Sequence, residues 1–484
     1  MKVLCATFCV AAVCLVIVAC TVGPDYRRPD TPAVPTSFKE APASNPPAAI
    51  WKQARPNDSA RRGKWWEIYN DPKLNALEEK LAVANQNLKA ATAQYFEARE
   101  QVSIARASYY PTVSAGPSVS NTRESYNQAN TVRGVTKFQF NTFALQGQVI
   151  WEPDLWGQVR RTVEQARANA QASAADLASV ELSLRSELAT DYFELRGLDA
   201  QRLLLDNTVS SDADYLQLTR VRFRGGVGTE VDVAQAETQY QSVKAQAIDV
   251  GVARAQYEHA IATLVGVPAS AFSLPSMPLD IVPPVIPAGL PSDLLERRPD
   301  VASAERRTAA ANAQIGIAIA AYYPNITLSA AGGFESASFG TWLQGSSLIW
   351  ALGASALETI FDAGRRRAIT DQARDAYEAQ TAEYRQSILN AFQEVEDKLA
   401  ALRILSEEAV AEDAAVDASH RSLAISTKRY KGGVATYLEV LTAQTVQLSN
   451  ERARVDITTR QCVASVLLIK AIGGGWDTSN LPRL

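Results

Sequence analysis

The 484-residue sequence is poor in the residue types that most active sites need. It has two histidines, His259 and His420, far apart along the chain. That is a thin inventory for a metal centre or for imidazole acid–base work. Of five cysteines, Cys5, Cys9, Cys14 and Cys20 fall within the first twenty residues, which leaves Cys462 alone. Basic and acidic residues nearly cancel, 48 against 52, with no basic stripe of the kind nucleic acid requires. No nucleophile elbow, metal-ligand cluster or glycine-rich cofactor fingerprint occurs, which argues against an enzyme.

The start of the chain is more informative. Lys2 and the uncharged apolar run Val3 to Ala19 describe a secretory signal over residues 1–19. The run ends Ile17-Val18-Ala19-Cys20, which resembles a bacterial lipobox cleaved before the cysteine. Cys20 would then carry diacylglycerol on its sulfur and an acyl chain such as palmitate on its amino group. The alternative is an uncleaved anchor, since the run reaches Gly23; Cys20 followed by Gly23-Pro24 favours the lipobox. With Cys5, Cys9 and Cys14 removed and Cys20 acylated, Cys462 is a lone thiol in an apolar helical stretch, and no intrachain disulfide is possible. Thr21 stands where inner-membrane retention signals usually place Asp, so the analogy gives the outer membrane as destination.

The chain is a tandem duplication. Arg222-Phe223-Arg224-Gly225-Gly226-Val227-Gly228-Thr229 returns as Arg429-Tyr430-Lys431-Gly432-Gly433-Val434-Ala435-Thr436, at a spacing of 207 (222 to 429). The same spacing carries Gly157 onto Gly364 and Glu187 onto Glu394. Tyr109-Tyr110-Pro111 matches Tyr322-Tyr323-Pro324 at 213 (109 to 322). This divides the chain into a signal at 1–19, an extended N-terminal segment at 20–69 and a first repeat at 70–274. A Pro-rich linker at 275–291, a second repeat at 292–475 and a tail at 476–484 follow. Pro24 to Pro56 reads as an extended tether rather than a packed element.

Each repeat reads as helix, two alternating strands, then very long helices. The strands fall at about 112–122 and 138–151, and at about 325–335 and 348–361. Period-two stretches of this length suit membrane β-strands. The heptad seams Val163, Ala166, Ala170, Ser173, Leu177, Val180, Leu184 and Tyr384, Ile388, Ala391, Val395, Leu399, Leu402 mark helices of about 40 residues, about 60 Å long. The helices are expected to reverse near Arg196-Gly197-Leu198 and Leu402-Arg403-Ile404, with the two Gly-Gly-Val sites as equatorial breaks.

Four strands per chain cannot close, and an open edge in lipid leaves backbone groups unpaired at several kcal/mol each. The strands must stay out of the membrane or be completed by further copies. Such completion sets no number of copies; three, the number that the resemblance below implies, would give twelve strands and leave a lumen.

These residues resemble a known family. Cys20-Thr21-Val22-Gly23-Pro24-Asp25-Tyr26, Trp65-Trp66, Asp71-Pro72-Lys73-Leu74-Asn75, Glu296-Arg297-Arg298-Pro299-Asp300-Val301, both Tyr-Tyr-Pro and both Gly-Gly-Val sites are similar to NodT-type lipoproteins of the TolC-like outer membrane factor family. The resemblance covers nearly the whole mature chain. It implies an α+β membrane protein: a homotrimeric 12-stranded β-barrel in the outer membrane, continued by a long α-helical barrel across the periplasm. It implies docking to a periplasmic adaptor and an inner-membrane pump of the resistance-nodulation-division (RND) type, with passive export of drugs, solvents or metal ions. No cofactor or nucleic acid is implied beyond the lipid on Cys20.

By the same resemblance, Arg196, Gly197, Leu198, Leu402 and Arg403 are the adaptor-contact tips, against the plainer reading of a helix reversal without a partner. Glu407, Glu408, Glu412 and Asp413 are candidates to line the periplasmic aperture as rings of carboxylates, against the plainer reading of a solvated helix face. His259 and His420 read as helix-surface residues. The rival readings are a lipid-anchored periplasmic adaptor, which two strand-bearing repeats disfavour, and a structural coiled-coil lipoprotein, which leaves the strands unexplained.

Overall fold

A computed structural model describes residues 21–40, 64–123, 125, 139–279, 284, 286, 291 and 294–475. The signal segment, Cys20, the 476–484 tail and most of the 275–291 linker lie outside the described residues.

The elements follow the duplicated order: α1 (Pro72–Ala84), α2 (Gln86–Ala107), β1 (Thr112–Arg123), β2 (Gln139–Trp151), α3 (Gln158–Arg224) and α4 (Glu230–Leu264). The second repeat gives α5 (Pro299–Ala320), β3 (Asn325–Ser336), β4 (Leu348–Leu357), α6 (Arg365–Lys431) and α7 (Tyr437–Ala471). All four strands pair antiparallel in chain order, β1-β2-β3-β4. β4 ends at Leu357, four residues short of the expected 361. There Asp362 accepts the Gly364 and Arg366 amides and turns the chain into α6, much as Asp154 accepts the Val159 and Arg160 amides ahead of α3.

Both long helices run 67 residues, about 100 Å, instead of about 40. No reversal occurs at Arg196-Gly197-Leu198 or at Leu402-Arg403; both sit inside unbroken helix, flanked by apolar residues that keep packing, such as Leu195 and Leu205. The chain reverses instead at Gly225–Gly228 and Gly432–Ala435. Gly226 and Gly433 take φ of 76° and 75°, a left-handed conformation that side chains resist. Val227 and Val434 amides bond back to the Arg222 and Arg429 carbonyls, and Thr229 with Asp232 forms a capping box that starts α4. Tips and equator therefore exchange places relative to the sequence reading.

The main core lies where α1, α3, α4 and α7 meet. It gathers Trp66, Leu74, Leu81, Leu188, Tyr192, Phe193, Ile261, Cys462 and Val466. Burial pushes the Cys462 thiol up to about 12, so it stays protonated and packs as an apolar group.

Side by side, α2 packs on α3, α3 on α5 and α5 on α6. α3, in the middle of this layer, buries small residues on both flanks, among them Ala168, Ala170, Ala172 and Ala175. α6, at its edge, buries the single stripe Tyr384, Ile388, Ala391, Val395 and Leu399. Its other side leaves Ile369, Leu389, Ile404 and Val410 exposed, and α2 at the opposite edge exposes Phe96 and Ile104.

Candidate functional site

The register assigns every sheet residue to a face. Val113, Val119, Phe143, Leu145, Val149, Trp151, Leu328, Phe334, Leu348, Trp350 and Leu352 share one face. Thr112, Ser114, Ser118, Ser120, Gln146, Gln148, Ser329, Glu335 and Ser355 share the other. An apolar face that exposes Val113, Val119, Trp350 and Leu352, opposite a hydroxyl- and amide-rich face, is what a strand between lipid and a wet lumen needs. At the foot of the sheet Trp156 stacks on Tyr323 at 4.9 Å and donates to the Pro324 carbonyl. The Trp151 indole donates to the Tyr109 carbonyl. Both Tyr-Tyr-Pro sites therefore lie where helix meets strand, within an aromatic collar.

Over residues 21–40 the N-terminal segment is not a free tether; the remainder of the expected tether, to Pro56, lies outside the described residues. Val22 donates to the Trp156 carbonyl, Thr21 lies against Gly157, and the buried Arg161 guanidinium donates to the Val22 and Gly23 carbonyls and to Asp25. Farther along, Tyr26 donates to Glu305, Arg28 to the Tyr384 hydroxyl, and Glu396 accepts the Lys39 and Glu40 amides. Phe38, 4% exposed, fills a pocket of Leu294, Val395, Leu399, Leu468 and Ala471. Proline content suggested an open chain; backbone carbonyls offered to the buried Arg161 and one deep aromatic, Phe38, make a strap. No sequence signal singled out Arg161.

The motifs near 71 and 296 have structural work. Asp71 accepts the Lys73 and Leu74 amides and the Tyr192 hydroxyl, so it starts α1 and ties it to α3. Arg298 donates to Asp300, Glu394 and the Ala471 carbonyl, joining the start of α5 to α6 and the end of α7.

Arg196 and Gly197 are buried at the equator. Arg196 stacks on Tyr192 and donates to Asp199 and to the Pro275 carbonyl. Asp199, fully enclosed, also accepts from Arg254, Ser276 and the Met277 amide, and so fixes the first residues of the inter-repeat linker. Neither residue is available to a partner in this conformation.

The sequence profile of the outer membrane efflux protein family matches residues 77–267 and 290–474, one span for each repeat. The chain belongs to this family. The probable efflux pump outer membrane protein TtgC of Pseudomonas putida is 31% identical over 475 residues, which cover 96% of this chain and 95% of the relative. The pyoverdine export outer membrane protein OpmQ of Pseudomonas aeruginosa is 31% identical over 431 residues, 87% of this chain and 89% of its own. The solved outer-membrane channel OprN superposes with a TM-score of 0.83 at 29% identity, covering 94% of this chain and all of OprN. The protein is thus an outer-membrane efflux channel component. Its sheet is one chain's share of a β-barrel, and its long helices are one chain's share of a helical barrel.

On this efflux-protein frame the tips are Gly225–Thr229 and Gly432–Thr436. Arg222 bridges the two tip turns by donating to the Tyr430 carbonyl and stacking on its ring. Exposed Val227 and Val434 cap the ends. The proposed aperture acids lie well short of them: Asp413 is about 27 Å and Glu407 about 36 Å of helix from Lys431. Glu407 pairs with Arg403, Glu408 with Arg460 and Asp413 with Arg454, while Glu412 is half-buried with one oxygen enclosed. These pairs offset the charge that an acidic ring would need. Leu402 and Leu198 are half-buried, and Arg403 also reaches Glu40 of the strap. His420 sits on the helix surface beside Glu451. Near the tips the unpredicted polar contact is Asp212. It is buried between α3 and α7, accepts from Gln444, and is pushed up to about 6 by desolvation.

Proposed function

We propose that three copies of this chain close edge to edge into one passive duct, which carries small molecules outward from a periplasmic adaptor and an inner-membrane RND pump. The observation that carries this reading is the agreement of the open edges. β1 and α2 end one side of the chain, and β4 and α6 end the other. Within the chain, α3 is completed by α5 of the second repeat; by the duplication, α6 has the same need for α2 of a neighbouring copy. A head-to-tail interface of this kind closes into a ring when the rotation fits, and family likeness supports the number three.

Drugs, solvents or metal ions are the cargo class we assign; relatives are named for antibiotic efflux, toluene efflux and pyoverdine export. Adaptor contact is assigned to the Gly225–Thr229 and Gly432–Thr436 turns rather than to residues 196–198 and 402–403. Lipidation of Cys20 is supported by its neighbour. Thr21 is held at the aromatic collar, so acyl chains on Cys20 would enter the leaflet beside the sheet. The anchored-adaptor alternative has no use for a four-stranded sheet with an apolar outer face.

The test is the oligomer and its phenotype together. Outer-membrane fractions should give a heat-modifiable trimer, and a deletion strain should become sensitive to drugs or solvents, with rescue by the intact gene. A monomer that restores export would sink the reading.

A further inference from the structure

The two hairpin loops of the sheet differ in kind. The first, residues 124–138, carries Glu124, Arg133 and Lys137. The second, residues 337–347, has no charge at all and contains Phe339, Trp342 and Leu343. A charge-free loop with three large apolar side chains is unusual at the outer end of a barrel, where water would otherwise surround it.

Its fold explains the composition. Phe143 is on the apolar face by register, in line with Leu145, Val149 and Trp151. Phe339 and Trp342 pack on Phe143, with ring centroids 5.8 and 6.1 Å away, and on each other at 5.9 Å. Ser336, which register puts on that same face, bonds to the Thr341 hydroxyl at 2.6 Å, and Ser347 closes onto the Thr341 carbonyl. The loop is thus folded down over the outer, apolar side of the sheet and away from the polar side. Beyond the aromatic cluster Phe339 and Leu343 remain 71% and 63% exposed. Leu348 and Trp350 of β4, on the same face by register, are 58% and 74% exposed.

We propose that the β3–β4 loop is a membrane anchor, with Phe339, Trp342 and Leu343 seated in the acyl chains and headgroup boundary of the outer leaflet. This rests on the reading of the sheet as a membrane wall. The partner is lipid because the loop packs through Phe339 and Trp342 on Phe143 of the lipid-facing surface, is uncharged, and turns the large apolar side chains of Phe339 and Leu343 outward. Each copy in a ring would contribute one such anchor, and none would cover the exit.

The experiment uses the full-length protein in phosphatidylcholine vesicles whose acyl chains are brominated, compared with the unbrominated lipid. A small environment-sensitive fluorophore is attached at Phe339→Cys, Leu343→Cys, Leu352→Cys or Ser118→Cys, and wild-type labelling is subtracted. Bromine should at least halve the emission at positions 339, 343 and 352 and leave position 118, on the polar face, unchanged. Quenching at 352 without quenching at 339 and 343 would overturn the anchor while leaving the membrane wall intact. No quenching at 352 would overturn both. Loop labels shielded from bromine and also from aqueous iodide would overturn it in favour of a protein contact.

Discussion

Gly197 of α3 faces Thr459 of α7 so closely that a methyl group added at Gly197 would meet the threonine hydroxyl and methyl inside van der Waals contact. The sequence reading took this glycine for a turn; it is a place where α7 packs tightly against unbroken α3. Gly197→Ala should destabilise the assembly by about 1–3 kcal/mol through overpacking. Adding Thr459→Ala should recover part of that loss, because it removes the two nearest atoms. Thermal dissociation of the oligomer checks both, and equal melting of the single and double variants would reject the explanation.

Asp199 is the hub that fixes the linker. Asp199→Ala strips four donors of their acceptor and leaves Arg196 enclosed without its partner. The cost should be about 3–5 kcal/mol. The readout is limited proteolysis: new cleavage is expected around Leu274–Met277 while the sheet stays protected.

Glu78 gives a pH prediction. Burial pushes its carboxyl from 4.5 up to about 8, only partly offset by Arg185, which lies 3.5 Å away and also pairs with Glu181. The folded chain therefore holds a proton that the unfolded chain releases near 4.5, so stability should fall as pH rises from about 4.5 towards 8. Glu78→Gln should flatten that slope and melt higher than wild type at the alkaline end. Parallel melting curves would refute it. Asp191 and Asp212, both raised to about 6 by burial, should leave a smaller residual slope.

At the tips, Gly226→Val and Gly433→Val each force a β-branched residue into a left-handed backbone, a local strain of roughly 1–2 kcal/mol or more. Trimers should still form, because the equatorial core and the sheet are untouched. Drug susceptibility should nonetheless rise to that of the deletion strain. Normal export with an altered turn would remove the tips from adaptor contact.

Phe38→Ala empties the pocket between α6 and α7 and should free the strap, at about 3–5 kcal/mol if the pocket fails to collapse. Hydrogen exchange should quicken over residues 21–40 and nowhere in α3.

Much of this was legible in the chain. Strand positions were, because alternation such as Val113, Ala115, Pro117, Val119 against Ser114, Gly116, Ser118 has only one period that fits. The α6 stripe was legible for the same reason: an edge helix buries one side. α3 reads as a single heptad seam, of which Val163, Ala170 and Leu184 are buried; Ala168, Ala172 and Ala175 are buried off that seam because the helix is covered on two flanks. The tips were misplaced because one glycine in a helix reads the same whether it turns the backbone or admits a neighbour. Only the distance to Thr459 separates those uses. The strap escaped notice because part of its hold comes from main-chain carbonyls and amides, which nearly every residue possesses.

The duplication has a consequence for assembly. A ring of three such chains has six near-equivalent joints around its wall, and three of them are already closed within single polypeptides by the β2–β3 and α3–α5 pairings. The cell therefore has to arrange three encounters rather than six. Half of the circumference is delivered pre-joined by the ribosome, in fixed alternation, so the two kinds of half cannot be mis-ordered.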